Sequence, residues 1–126
     1  MAFTISTQKT GFAAMQLPRA QPAPLAEGVI RCRPEDFQVE EIGAVDPTGE
    51  GEHVWLQVRK QGCNTEQVAR ALAAGAGVPG KDIGFAGLKD RHAIATQWFS
   101  VRLAGRTAPE WQTCMPHGCE VVCSVR

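Results

Sequence analysis

A short charged turn contains the residues best suited to chemistry. A glycine-rich segment at 83–87 leads directly into Lys89, Asp90, Arg91 and His92. Cations a few ångströms away favour the ionised form of a carboxyl group, and an ionised carboxylate can act as a nucleophile or a base. The sequence therefore predicts that Lys89 and Arg91 keep Asp90 charged for catalysis. The alternative is a solvated β-turn whose aspartate caps its own backbone while both cations face water.

A second cluster, near the C-terminus, combines thiols with one imidazole. The chain has five cysteines, and Cys114, His117, Cys119 and Cys123 lie close together in the sequence. They lack the paired C-x-x-C spacing of zinc sites, and no second pair completes a tetrahedron. The N-terminus also lacks the apolar core, about 7–15 residues long, of a secretory signal peptide. We therefore predict a cytoplasmic protein with free thiols and no bound metal; a small thiol or zinc protein is the alternative.

Length and composition limit the classes of protein to consider. The chain has 126 residues, 44% of them hydrophobic and 21% charged, which is typical of one soluble domain and excludes intrinsic disorder. No apolar run approaches the roughly 18–20 residues that a membrane-spanning helix needs, so we expect no membrane association. Thirteen basic residues balance thirteen acidic ones. Net charge therefore gives no support for nucleic-acid binding, and any such partner must be inferred from local features.

Hydropathy periodicity predicts the elements that position the charged turn. Apolar residues at helical spacing predict one helix over 64–74, with Asn64 as N-cap, Gln67 closing a capping box, and Gly75 and Gly77 ending it. Alternation indicates strands elsewhere, and the strand at 53–60 is expected to pair antiparallel with the one before it. The predicted strands are 29–33, 37–42, 53–60, 93–103 and 119–125, with a further short buried segment at 83–87.

These elements predict an α+β fold with a mostly antiparallel sheet and one clear helix. Residues 1–27, with three prolines and little periodicity, are expected to form an extended lead-in. A single helix can bury only one face of a sheet with so many strands, so we expect the other face to expose apolar side chains. We therefore predict that residues 28–126 are the N-terminal portion of a larger domain; completion of the sheet by another chain is the alternative.

Three ordered motifs resemble the TruD family of tRNA pseudouridine synthases. The string Ala-Gly-Leu-Lys-Asp-Arg-His-Ala at 86–93, continuing to Thr96 and Gln97, is similar to the signature of that family. The segment Pro-Glu-Asp-Phe-Gln-Val-Glu at 34–40 resembles its first motif, D-F-x-V-x-E. Between these two lie Gly51-Glu52-His53, Lys60, Gly62, Asn64 and Thr65, which resemble the intervening segment. The resemblance extends from about Gly28 to the end of the chain.

The resemblance implies an activity and a set of site residues. Family members isomerise uridine 13, in the D-arm region of tRNA, to pseudouridine without a cofactor or metal. The catalytic aspartate of the family corresponds to Asp90, and the phenylalanine of the first motif corresponds to Phe37. Phe37 would pack against the extruded base, since flipped bases are commonly held by aromatic stacking. Lys89 and Arg91 would contact RNA phosphates, and Gln97 would hydrogen-bond near the base.

The same residues allow less specific interpretations. Phe37 could be a core residue, and Gln97 could pair within the sheet. The family motifs C-terminal to the Lys-Asp-Arg turn, which complete the pocket, do not occur in these 126 residues. The alternative function is therefore a non-catalytic RNA-binding or protein-interaction fragment of such an enzyme.

Overall fold

The computed structural model describes residues 18, 20–22, 26, 28–43 and 46–126. Most of the predicted lead-in at 1–27 lies outside the described residues. The regular elements are β1 (Gln38–Glu40), β2 (His53–Lys60), α1 (Thr65–Ala76), β3 (Ile83–Phe85), β4 (Ile94–Arg102), α2 (Trp111–Cys114) and β5 (Cys119–Val125). Single 3₁₀ turns occupy Pro34–Asp36 and Gly80–Asp82.

The five strands form one sheet in the order β1-β4-β2-β5, with β3 beside β4. Strand β2 pairs antiparallel with both β4 and β5, and β3 pairs antiparallel with β4. Only β1 runs parallel to its partner, β4. The predicted α+β fold with a mostly antiparallel sheet is therefore confirmed.

Two strand predictions were wrong. The segment 29–33 forms no strand: Arg31 has a left-handed φ of 57°, and the Asp36 carboxylate accepts hydrogen bonds from the amides of Cys32 and Arg33. These local bonds turn the chain instead of extending it. The strand at 53–60 does not pair with β1, because β4 and β5 occupy both of its hydrogen-bonding edges.

Helix α1 covers one face of the sheet and begins as its sequence predicts. The Asn64 side chain accepts from the Gln67 amide, and the Gln67 side chain accepts from the Asn64 amide, each at 2.9 Å. Gly75 does not end the helix. It lies where a Cβ would collide with the Cys114 side chain, and the helix ends instead at Gly77, whose φ is 65°. The close approach of α2 to α1 therefore depends on the missing side chain at Gly75.

The hydrophobic core lies between α1 and the sheet. The apolar stripe of the helix packs on the inward side chains of β2 and β4, and each fully buried side chain of this kind contributes about 1.5–3 kcal/mol. The buried members include Val68, Leu72, Leu56, Val58, Phe99 and Val101. The opposite face of the sheet carries half-buried Trp55 and Trp98 and exposed Arg59. The elements thus hold residues 86–92, hereafter the Asp90 turn, between two strands of a packed sheet.

Candidate active site

The carboxylate of Asp90 is fixed on one side and open on the other. Its Oδ1 accepts a hydrogen bond from the amide of His92 at 2.8 Å, and its Oδ2 lies 3.6 Å from Nη1 of Arg31. The side chain keeps 26% of its surface exposed. Because a backbone amide and a cation hold this carboxylate while part of it stays open to solvent, a substrate can reach it without a change in the side-chain conformation.

Arg31 joins Asp90 to Phe37. The guanidinium carbon of Arg31 lies 5.7 Å from the centroid of the Phe37 ring, within the range of a cation–π contact. Phe37 is exposed, at 42% of its surface, so its ring is available for stacking. Asp36 positions this pair through its bonds to the two amides that follow Arg31. No sequence motif pointed to Arg31; its local signal is a basic residue three positions before the Pro-Glu-Asp turn.

The flanking cations Lys89 and Arg91 bind elsewhere. Lys89 donates to the carbonyl of Ala86 at 3.1 Å, and its ammonium is 4.0 Å from Oε2 of Glu41. Arg91 donates through Nε to the carbonyl of Gly62 at 3.0 Å. Among the residues that the structure describes, the cation within 4 Å of the Asp90 carboxylate is Arg31. The prediction that Lys89 and Arg91 hold this carboxylate is thus corrected: their adjacency in sequence does not bring their charged groups to it.

A buried lysine supports the Asp90 turn from below. Lys60 is fully buried, and its ammonium donates to the main-chain oxygens of Cys63, Lys89 and Asp90 at 3.0, 3.2 and 3.0 Å. Three donors meet three acceptors, which satisfies the group completely. Burial lowers the pKa of Lys60, while Cys119, Cys63 and Asp90 oppose that shift. Lys60 matched a family motif in the sequence, and the alternation of β2 places it on the buried face, but nothing local indicated that its ammonium holds the Asp90 turn.

Thr65 and Gln97 form a second support beneath the same turn. The Thr65 hydroxyl donates to Oε1 of Gln97 at 2.9 Å and accepts from the amide of Lys89 at 3.0 Å. Gln97 in turn donates to the carbonyl of Gly87 at 2.8 Å. Gln97 is fully buried, so its amide holds the turn; the predicted contact with a base stays a prediction. Together with Lys60, these bonds fix the backbone that carries Asp90.

The C-terminal cysteines do not gather into one cluster. Cys114 contacts the carbonyl of Glu110 at 3.6 Å, Cys123 contacts the Gln57 side chain at 3.9 Å, and Cys119 contacts Cys63 at 3.1 Å. Within the described part of the chain, no group of three or more His, Cys, Asp or Glu side chains is arranged to hold a metal ion. The described helices also include none long and apolar enough to cross a bilayer.

Comparison with known proteins decides the family. The sequence model of tRNA pseudouridine synthase D (TruD) matches residues 20–113. The chain belongs to the TruD family. This confirms the resemblance carried by the three motifs, and the matched region contains Arg31, Phe37, Lys60 and Asp90.

Several relatives named tRNA pseudouridine synthase D are similar over the same part of the chain. The protein from Methylococcus capsulatus is 56% identical over 96 residues, which cover 76% of this chain and 27% of that protein. The one from Nitrosococcus oceani is 55% identical over 92 residues, covering 73% and 26%. The Pseudomonas aeruginosa protein is 50% identical over 93 residues, covering 74% and 26%. The chain thus spans about a quarter of the length of these relatives.

A solved structure supports the fold. The crystal structure of a protein assigned as tRNA pseudouridine synthase D (TruD) from Methanosarcina mazei superposes with a TM-score of 0.60 at 25% sequence identity. The match covers 77% of this chain and 22% of that one. The sheet and the helix that position Asp90 therefore belong to a TruD-like arrangement.

Proposed function

We propose that this chain carries the catalytic aspartate of a tRNA pseudouridine synthase, which isomerises uridine 13 in the D-arm region of tRNA. Asp90 is the nucleophile of that reaction. The observation that carries the proposal is the placement of its carboxylate, fixed by the His92 amide, paired with Arg31 and still partly open. The family membership of the chain supports the same reaction class.

The proposed reaction rearranges one nucleoside and needs no other reactant. The bond from C1′ to N1 breaks, the uracil turns in its site, and a new bond joins C1′ to C5; the proton of C5 is lost and N1 gains one. Asp90 either attacks C1′, removes the 2′ proton or attacks C6 of uracil. The product has the same formula as the substrate and no oxidation state changes overall. The chemistry therefore requires no redox cofactor, and we propose that it also proceeds without a metal.

Residues around Asp90 are proposed to bind the RNA substrate. A uridine must leave its stack to reach Asp90, and base–aromatic stacking contributes about 1–3 kcal/mol. The exposed ring of Phe37, joined to Asp90 through Arg31, is the surface we propose for that stacking. Lys89 and Arg91 lie in the same turn and supply positive charge for RNA phosphates. We propose tRNA as the partner and the cytoplasm as the location.

The decisive experiment separates the role of Asp90 from the completeness of the polypeptide. The 126-residue chain is assayed on tRNA by carbodiimide treatment and primer extension, alone and as a chimera. In the chimera, residues 20–113 replace the corresponding segment of the Methylococcus capsulatus relative, with which this chain is 56% identical over 96 residues.

We expect the chimera to form pseudouridine and its Asp90→Asn variant to lose at least about a thousandfold in rate, with an unchanged melting temperature. Asp90→Asn keeps the size of the side chain and removes its charge. Retained activity in the Asn variant would remove Asp90 from the mechanism.

A non-catalytic interaction role is the second candidate, and one observation favours it. On the sheet face opposite α1, Val125 is 39% exposed and pairs with half-buried Trp55 on β2, and Val122 at the irregularity of β5 is 52% exposed. Filter binding of tRNA over a salt series separates the two roles, because phosphate contacts give a steep negative slope of log K against log salt. A flat slope together with self-association in sedimentation would favour the interaction role.

A further inference from the structure

Two thiols that the proposed reaction does not use lie in direct contact. Sγ of Cys119 is 3.1 Å from Sγ of Cys63, although 56 positions separate them in the sequence. Both residues are buried, with exposed fractions of 5% for Cys63 and 6% for Cys119. A disulfide bond has an S–S length of about 2.0 Å. Bond formation thus requires the two sulfurs to move about 1 Å closer.

The end of the β2–β5 ladder holds the two thiols together. Cys119 pairs with Lys60 in the sheet, and the amide of Gln61 donates to the carbonyl of Gly118 at 2.9 Å. Gly118 has a φ of 82° and lies where a Cβ would collide with the backbone of Gln61. The close approach of the two chain segments at this point therefore requires glycine.

The thiol pair is next to an opening. Cys119 and Gly118 line a shallow cleft of about 330 Å³, together with Arg59, Lys60, Gln61 and Glu120. The cleft does not include Asp90 or Phe37. The cleft thus lies beside the residue Cys119 and apart from the candidate active site.

We propose that Cys63 and Cys119 are a redox-active dithiol that closes to a reversible intramolecular disulfide, with hydrogen peroxide as the oxidant. The Cys119 thiolate attacks one peroxide oxygen; the O–O bond breaks, and the departing hydroxide takes up a proton as water. Cys63 then attacks the resulting sulfenic sulfur, the S–S bond forms, and the sulfenic oxygen leaves as a second water. Two thiols and one peroxide give one disulfide and two waters, and the two electrons lost by the sulfurs reduce the peroxide.

The disulfide is coupled to the Asp90 turn through Lys60. The carbonyl of Cys63 accepts from the Lys60 ammonium, which also holds the carbonyls of Lys89 and Asp90. A shift of Cys63 toward Cys119 therefore moves one of the three acceptors that fix this ammonium. We expect oxidation to change the environment of the backbone of Lys89 and Asp90, independently of whether the chain is active.

The test uses the full chain with its other three cysteines replaced, C32S/C114S/C123S, so that only the proposed pair remains. After hydrogen peroxide at pH 8 we expect an intact mass lower by about 2 Da, no free thiol after denaturation, and full reversal by dithiothreitol. Burial raises the pKa of Cys119 to about 12, so the rate should rise about tenfold per pH unit between pH 7 and 9. The matched control is the quadruple variant C32S/C114S/C119S/C123S. It retains Cys63 alone and should not show the mass loss of about 2 Da that marks an intramolecular disulfide.

Peptide mapping of the oxidised, unreduced wild-type chain gives a second measurement if the triple variant fails to fold. A crosslinked peptide pair containing Cys63 and Cys119 supports the proposal. Two intact thiols at these positions, while exposed Cys32 is oxidised, would overturn it. So would oxidation of each sulfur to a sulfinic acid without a crosslink. In ¹H–¹⁵N spectra, Lys89 and Asp90 should shift more than Glu52 and Arg102 at the far end of the sheet, and equal shifts would disprove the coupling.

Discussion

The ammonium of Lys60 lies 3.0 Å from the main-chain oxygen of Asp90, inside the core of the domain. The candidate nucleophile is therefore carried by a turn whose backbone is held from beneath by a buried charge. A turn fixed in this way presents its carboxylate in one orientation, and such preorganisation lowers the cost of reaching a reactive geometry. The relationship also predicts that substitutions well below the surface change the behaviour of the site.

Replacing Lys60 by Met should destabilise the fold and disorder the Asp90 turn. The change leaves three buried carbonyls without their shared donor, at a cost that is offset in part by relief from burying a charge. We expect a net loss of about 2–4 kcal/mol in the free energy of unfolding, measured by urea denaturation. Arg59→Met is the matched control: Arg59 is the exposed neighbour on the other face of β2, and its loss should cost less than about 0.5 kcal/mol. Equal stabilities of the two variants would contradict the supporting role of Lys60.

Thr65→Val should damage the same turn through a hydroxyl group. Valine keeps the shape of the side chain but leaves Oε1 of Gln97 and the amide of Lys89 without the hydroxyl group that they contact. We expect a loss of about 1–3 kcal/mol in thermal or urea unfolding. Thr65→Ser retains both hydrogen bonds and should lose about 1 kcal/mol or less. A serine variant no more stable than the valine variant would show that the hydroxyl does not support the turn.

Arg31→Met should lower pseudouridine formation with little change in stability. The Arg31 side chain is 64% exposed, and exposed ion pairs contribute about 0–1 kcal/mol. Its contacts with Asp90 and Phe37 nevertheless place it in the candidate site, and we expect the rate of the chimera to fall about tenfold. Arg33→Met, two residues along the same exposed segment, is the control and should retain activity. Equal rates for both variants would argue against a role for the Arg31 guanidinium.

Stability should fall at alkaline pH because of Cys119. Burial raises its pKa from 9.0 to about 12, so the folded chain keeps a proton that the unfolded chain loses above pH 9. The stabilising contribution is fully present below pH 9 and is lost as pH rises toward 12, by up to about 1.4 kcal/mol per pH unit. Lys60 acts in the opposite direction: burial lowers its pKa below 10.5, so the folded chain releases the proton first and this contribution to stability increases as pH rises from the lowered pKa toward 10.5.

Cys119→Ser isolates the thiol term, because serine does not titrate in this range. Urea unfolding is measured at pH 8, 9 and 10 for the wild type and C119S. Above pH 9 the wild type should lose stability relative to C119S. A difference that stays constant over this range would show that the Cys119 thiol titrates alike in the folded and unfolded chains.

Local sequence determined most of the elements and the motif. Alternation placed β2 and β4, and the Asn64 and Gln67 pair predicted the start of α1, because such signals arise between residues a few positions apart. The charged turn around Asp90 was recognisable for the same reason. Tertiary structure alone decided that β1 joins β4, that Arg31 rather than Lys89 or Arg91 meets the Asp90 carboxylate, and that the Lys60 ammonium reaches the backbone of the Asp90 turn. These outcomes depend on contacts between distant segments, such as the 30 positions between Lys60 and Asp90, for which local periodicity contains no signal.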